Sequence, residues 1–281
     1  MSKSERRKAI ADLLKKENNS EKDVVNVLWT GGWDSTFRII QLSTKDIIIQ
    51  PHYLKDNRKS QKFELNAIRL ITEDIRNLAS TRCTFRDLIL MNVSDINEDK
   101  DITQAYKNIA ENYRLGSQYD WLARYSKNIK DIEIGDENGR AIDSIIYGAI
   151  KANGDTKRIV DDKKGEYYII DKSVSSNDII KVFGNYHYPI LFYSKLEMKK
   201  EAEEMGFIDI MNKTWFCHTP INNEPCGRCV PCMFTIKTGL EYRLSKAALR
   251  RYKRKKFIEP IKNTLIYRSI RKLWRLIKTN K

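Results

Sequence analysis

Four cysteines spaced Cys217-x8-Cys226-x2-Cys229-x2-Cys232 form the densest chemistry in the chain. Thiolates are soft ligands, and four of them suit a tetrahedral zinc ion in a closed structural site. Gly227 and Pro231 let the segment fold back so that the sulfurs converge, and Arg228 offsets part of their negative charge. The same donors also serve iron–sulfur clusters, Cys229 and Cys232 have redox-pair spacing, and unliganded buried thiols are a further alternative. Cys83 stands apart as a core or near-surface residue, and His218 reads as a neighbour of Cys217.

A second constellation is Trp29-Thr30-Gly31-Gly32-Trp33-Asp34-Ser35-Thr36, which follows the apolar run beginning at Val24. Two glycines permit a tight turn and a close approach of backbone amides to oxyanions. Thr30, Ser35 and Thr36 offer hydroxyls, while Asp34 can orient a metal or water or hold the loop closed. No Gly-Lys-Ser/Thr follows the glycines, so this is no Walker sequence. The alternative is an ordinary strand–helix turn capped by Asp or Ser. A third signal lies far downstream, where Ser194 and Glu197 have capping-box spacing and Gly206 is placed to stop the helix. Lys195 then sits in a first turn whose free amides favour an anion.

These residues need elements to position them. Val24–Trp29 reads as a buried parallel strand, and a helix starts near Ser35. Further strands are predicted at 47–53, 87–93 and 132–135, with helices over 63–78 and most of 102–125. This alternation predicts an α/β fold, a Rossmann-like parallel sheet with helices on both faces. Residues 136–185 read as an elaboration, with a strand at 166–170.

The chain has 281 residues, of which 41% are hydrophobic, enough for one large core and a small appendage. No apolar run approaches the ~18–20 residues of a membrane span. The segment Met1–Arg7 lacks the apolar block of a secretory signal, so a cytoplasmic, thiol-reducing location is expected. The net charge is +15. From Arg243 to Lys281 there are 15 basic residues against Glu259 alone; the other 242 residues carry 37 basic and 36 acidic groups. The basicity therefore belongs to a tail, and pI alone does not make the whole chain a nucleic-acid binder. Three parts are expected: a polar arm over 1–22, a domain over 23–242 that includes the cysteines, and a basic helical tail over 243–281.

Thr30-Gly31-Gly32-Trp33-Asp34-Ser35 resembles the Ser-Gly-Gly-x-Asp-Ser loop of the N-type ATP pyrophosphatases, with Thr30 keeping the hydroxyl of the usual Ser. Taken with Pro189-x4-Ser194-Lys195, Thr214-Trp215-Phe216-Cys217 and the cysteine spacing, the chain resembles the 7-cyano-7-deazaguanine synthase family over residues 24 to about 235. The resemblance implies an adenine-nucleotide hydrolase-like fold, ATP and Mg²⁺ as cofactors beside Zn²⁺, and two adenylations. The first converts a deazapurine carboxylate to the amide with ammonia, and the second dehydrates the amide to the nitrile. It also implies a homodimer and a place in modified-base synthesis. Nucleotide contacts are expected from Leu28, Trp29, Thr30, Gly31, Gly32, Trp33, Asp34, Ser35, Thr36, Tyr53, Gly135 and Lys195, with Asp34 and Lys195 as the catalytic pair. Metal ligation is expected from Cys217, Cys226, Cys229 and Cys232.

The chain departs from the family pattern opposite the loop. Where the family has Pro-x-Arg-Asn, this sequence has Tyr113-Arg114-Leu115-Gly116-Ser117-Gln118-Tyr119-Asp120-Trp121. That stretch is either an acceptor wall, with Gln118, Tyr119 and Trp121 offering stacking and hydrogen bonds, or a plain amphipathic helix. Asp56-x-Arg58 and Glu64 resemble parts of another family stretch that here lacks its Gly. Alternative acceptors are therefore tRNA, another base or nucleotide, a sugar or a protein carboxylate; a nucleotide-binding scaffold is the non-enzymatic alternative. In the tail, Ile266, Ile270, Leu273 and Ile277 share one helical face with Trp274 beside them, and Pro260 lies near the expected helix start. Such a helix docks on the body, pairs with a second protomer, lies on an anionic membrane or grips nucleic acid.

Overall fold

Hydrophobic runs at Val24–Leu28 (β1) and Ile48–Lys55 (β2) pair in parallel at the centre of the sheet in the computed structural model. The structure describes residues 5, 23–129, 131–136 and 145–262. Two compact units divide between Trp215 and Phe216.

In the first unit, β2 also pairs with Thr84–Phe85 (β3) and Ile89–Asn92 (β4), while β1 pairs on its other side with Ile132–Ile134 (β5). Tyr186–His187 (β8) completes the sheet beside β5, and every pairing is parallel. The chain thus moves outward from β1 in one direction through β2, β3 and β4, then returns to add β5 and β8 on the opposite side. That reversal creates a crevice between the carboxyl ends of β1 and β5, where α/β sheets bind their ligands.

Residue alternation assigns the two faces. Val25, Val27, Trp29 and Ile49 are buried on one side, which takes helices Trp33–Ser43 (α1) and Gln61–Arg76 (α2). Leu28, Leu54, Met91 and Ile132 join a separate core on the other face. That core holds residues of Lys100–Asn112 (α3), Gln118–Ser126 (α4), Ile145–Asn153 (α5) and Asn177–Phe183 (α6). The helical stretch expected over 102–125 is two helices, broken at Tyr113–Ser117. Thr156–Asp161 (β6) and Gly165–Ile170 (β7) form an antiparallel hairpin within the elaboration, so the strand expected there has a partner that the sequence reading did not find. Lys195–Glu204 (α7) and Ile208–Asn212 (α8) return to the first face beside α1.

The second unit contains the cysteines, helix Val230–Lys237 (α9) and helix Lys246–Lys262 (α10). The described part of the tail is helical from Lys246 to Lys262, upstream of and including Pro260, because Ala247, Ala248, Leu249 and the Arg and Lys residues after them favour helix. Ser245 accepts the Ala248 amide at its start (3.2 Å). The polar arm before residue 23, apart from Glu5, and the Ile266–Ile277 face lie outside the described residues. Among the described residues no helix is long and apolar enough to cross a membrane.

Candidate functional site

The loop after β1 is built by close packing at its glycines. Gly31 has φ of +68°, and a Cβ there would lie 2.8 Å from the Glu64 carbonyl of α2. The Gly31 carbonyl accepts the Trp215 amide at 2.8 Å, and the Trp215 ring stacks on Phe63 at 4.4 Å. At the end of β5, a Cβ on Gly135 would fall 2.7 Å from the Ser35 amide nitrogen. Glycine at these positions brings α2 and β5 against opposite sides of the loop.

The side chains divide between the loop's surface and its foundations. Thr30 is exposed, and Ser35 Oγ lies 3.4 Å from the Thr30 amide and 3.5 Å from its hydroxyl. Thr36 is fully buried and its hydroxyl accepts the Trp29 indole N–H at 2.9 Å, so it secures the strand–helix joint instead of the loop's outer edge. Leu28, Trp29, Trp33 and Tyr53 are buried as well, with Leu28 in the core of the opposite sheet face.

Asp34 and Lys195, 161 residues apart, meet in an ion pair. Each is held by a helix start. Asp34 is the second residue of α1, and Lys195 opens α7 just after the Ser194 cap. Ser194 Oγ accepts the Glu197 amide (3.2 Å) while its own amide donates to the Glu197 carboxylate (2.9 Å). At the far end, the Phe207 amide reaches the Ala202 carbonyl and Gly206 adopts φ of +77°, closing the helix as its sequence predicts. Lys195 is nearly buried and Asp34 partly exposed, so the pair presents its carboxylate side to solvent.

Two supporting networks escaped the sequence reading. Arg38 of α1 makes a bidentate pair with Glu133 of β5, at 2.7 and 2.8 Å, and donates to the Lys164 carbonyl at 2.9 Å. Both side chains are almost wholly buried. Behind β1 and β2, His52 Nδ1 accepts from the Tyr125 hydroxyl (2.7 Å), and Nε2–H donates to Asn26 Oδ1 (2.8 Å). Burial lowers the His52 pKa to about 3, so the imidazole is neutral. A third network, at Arg58 and Glu64, was anticipated only as residues. Glu64 accepts from the Tyr53 hydroxyl (2.6 Å) and the Arg58 guanidinium (2.8 Å), and burial followed by this carboxylate drives the Tyr53 pKa up.

Residues 113–121 do not form one wall. Gln118 is exposed, whereas Tyr119 and Trp121 of α4 pack against the core, Tyr119 lying 5.7 Å from Phe183. A cleft of about 670 Å³ lies away from the loop, between Gln41 of α1 and Lys45 just beyond its end, Lys164–Glu166 of the hairpin and Lys200, Glu201 and Glu204 of α7.

In the second unit the four Sγ atoms of Cys217, Cys226, Cys229 and Cys232 lie within 4.8 Å of one another. The Cys226–Cys232 and Cys217–Cys229 separations are both 3.9 Å. Zinc–sulfur bonds of about 2.3 Å in a tetrahedron give edges of about 3.8 Å, so the sulfurs fit such an ion. Amides of Arg228 and Cys229 and the Thr219 hydroxyl each donate to Cys226 Sγ at 3.3 Å, and the Cys226 amide donates to Cys217 Sγ at 3.1 Å. These donors stabilise thiolates. The hydrogen bond between Cys217 and Cys229 pushes the Cys217 thiol up to about 12 and holds Cys229 low. Four sulfurs this close cannot all ionise without a cation among them. Gly227, with φ of +74°, lets the knuckle touch α10 at Ala248.

No protein-family model matches the chain. The sheet order and its crossover helices define a Rossmann-like parallel α/β protein with a four-cysteine cluster suited to a metal. This architecture is consistent with an ATP-utilising, ligase-like enzyme.

Proposed function

We propose that this chain is an ATP-dependent ligase of the 7-cyano-7-deazaguanine synthase type. The observation that carries the reading is the Gly31–Ser35 loop at the β1–β5 crevice, with Lys195 drawn to it by Asp34. A loop with two glycines and a fixed ammonium suits a triphosphate whose pyrophosphate must leave. Loop amides and Thr30 cradle the phosphates, and Lys195 neutralises charge on the departing pyrophosphate. The Asp34 carboxylate, partly exposed at the loop, is the group that would hold Mg²⁺, which supplies further charge neutralisation when bound.

The acceptor carboxylate attacks the α-phosphorus and expels pyrophosphate; ammonia then attacks the acyl carbon and AMP leaves. A second adenylation, now on the amide oxygen, allows loss of AMP to give the nitrile. Adenylation is needed because oxide is a poor leaving group. The chain's contribution is alignment and charge stabilisation, and no protein nucleophile is required.

Incubation with ATP, Mg²⁺, ammonia and 7-carboxy-7-deazaguanine should release AMP and pyrophosphate and yield the nitrile by mass spectrometry. Lys195→Ala should lower kcat for AMP formation by about 100-fold or more, the scale of losing one preorganised charge-stabilising group. AMP release that requires RNA and ignores the deazapurine acid would replace the acceptor. Absence of AMP with every acceptor and ammonia concentration would remove the ligase reading.

A further inference from the structure

The second unit carries a surface that no step at the ATP loop uses. Between Lys246 and Phe257, α10 has seven basic residues and no acidic one. Their burial divides them into two groups. Arg251 donates from Nε to the Cys226 carbonyl (2.9 Å) and from a terminal nitrogen to the Pro225 carbonyl (3.2 Å). Lys255 Nζ donates to the Arg228 carbonyl at 3.0 Å and reaches Met233 Sδ at 3.4 Å. With buried Ala248, these side chains fasten one face of the helix to the cysteine knuckle.

The other face points outward. At 100° per residue, Lys246, Arg250, Lys253, Arg254 and Phe257 fall within an arc of about 100°. All five are exposed, and Phe257 retains 75% of its accessible surface. The four charges span about 12 Å along the axis, since each residue rises about 1.5 Å. The aromatic ring lies within the arc. Four cations along a rigid line with one outward ring match the chemistry of a sugar–phosphate strand, whose phosphates pair with cations and whose bases stack on aromatics. A helix lying on an anionic membrane needs a wide apolar stripe opposite its basic face. Here the opposite face is occupied by the cysteine knuckle and carries Arg251 and Lys255.

We propose that the exposed arc of α10 is a docking surface for single-stranded nucleic acid, with the metal-binding knuckle as its rigid base. Lys246, Arg250, Lys253 and Arg254 contact phosphates and Phe257 stacks on a base. The surface rests on no feature of the ATP loop, so its failure and that of the ligase reading are separate results.

Fluorescence anisotropy of the full chain with labelled ~20-nucleotide RNA or DNA tests this. Sedimentation with phosphatidylserine-containing vesicles provides the competing outcome. With about 0.7 counterions released per charge, four contacts give a log affinity versus log salt slope of about −3. Arg250→Gln/Lys253→Gln/Arg254→Gln should flatten that slope by about 2 and weaken low-salt binding more than tenfold. Phe257→Ala should weaken binding about fivefold or more without changing the slope. Lys100→Gln/Lys107→Gln/Lys172→Gln, three exposed lysines of the first unit, should change neither. Unchanged circular dichroism and metal content separate these losses from unfolding. The proposal is overturned if the helix triple variant binds like the parent, if the control triple loses as much, or if the chain binds vesicles and neither nucleic acid.

Discussion

Gly135→Ala tests the packing of the loop with one carbon atom. The added Cβ would lie 2.7 Å from Ser35 N, 2.8 Å from Ser35 Cα and 3.1 Å from Asp34 C. All three are backbone atoms at the start of α1, and none can swing aside as a flexible side chain could. Restoring a contact of about 3.4 Å requires a displacement of about 0.7 Å, and overpacking of this kind costs about 1–3 kcal/mol. The displaced residues are Ser35 and Asp34 themselves, so AMP formation should fall about 10- to 100-fold, the scale of an ångström's misplacement. Gly148→Ala supplies the contrast. It sits inside α5, a Cβ there meets nothing within 4 Å, and the change should stabilise the chain by about 0.5–1 kcal/mol. Denaturant unfolding of the two variants gives opposite signs if the contacts govern, and AMP release falls for Gly135→Ala alone. Equal stability for Gly135→Ala and the parent, with unchanged AMP release, would refute the reasoning.

Glu133→Gln should destabilise by about 3–5 kcal/mol, because Arg38 remains buried without its counter-charge; a loss under about 0.5 kcal/mol in denaturant unfolding contradicts it. His52 binds a proton in the unfolded chain near its ordinary pKa of 6.5 and in the folded one only near 3, so the unfolded state holds more protons between these values. Its stability contribution is complete above about pH 6.5 and about 2 kcal/mol is lost by pH 5. His52→Gln should therefore flatten the stability profile between pH 6.5 and 5, and an unaltered slope counts against the buried neutral imidazole. Metal analysis of the full chain should find about one zinc per chain, and Cys232→Ser should lose it; a visible iron–sulfur absorption band would assign the site differently.

Much of the scaffold was legible because local patterns were unambiguous. The apolar run at Val24–Leu28, the Ser194–Glu197 box and Gly206 each specify their own geometry through neighbouring residues. The break at 113–117 was harder, since the apolar period continues on either side of it. The β6 strand was missed because Thr156–Asp161 is mostly polar and partly exposed, and only its antiparallel partner identifies it. Tyr119 and Trp121 have the residue types of a binding wall, yet core packing takes them. Residue type alone does not reveal which face of a helix meets the core.

By itself, the sequence determined the alternation of strands and helices, the glycine loop at Thr30, the cysteine spacing and the uneven charge. These are encoded within windows of about 20 residues or in simple counts. Only the tertiary structure decided that Lys195 meets Asp34, that Gly135 abuts Ser35, and that Arg38 is neutralised by Glu133. It likewise assigned Thr36 to the Trp29 indole and divided α10 into a fastened face and an exposed one. Each of those outcomes depends on which distant backbone segments the sheet order and packing bring within a few ångströms, and no local periodicity carries that information.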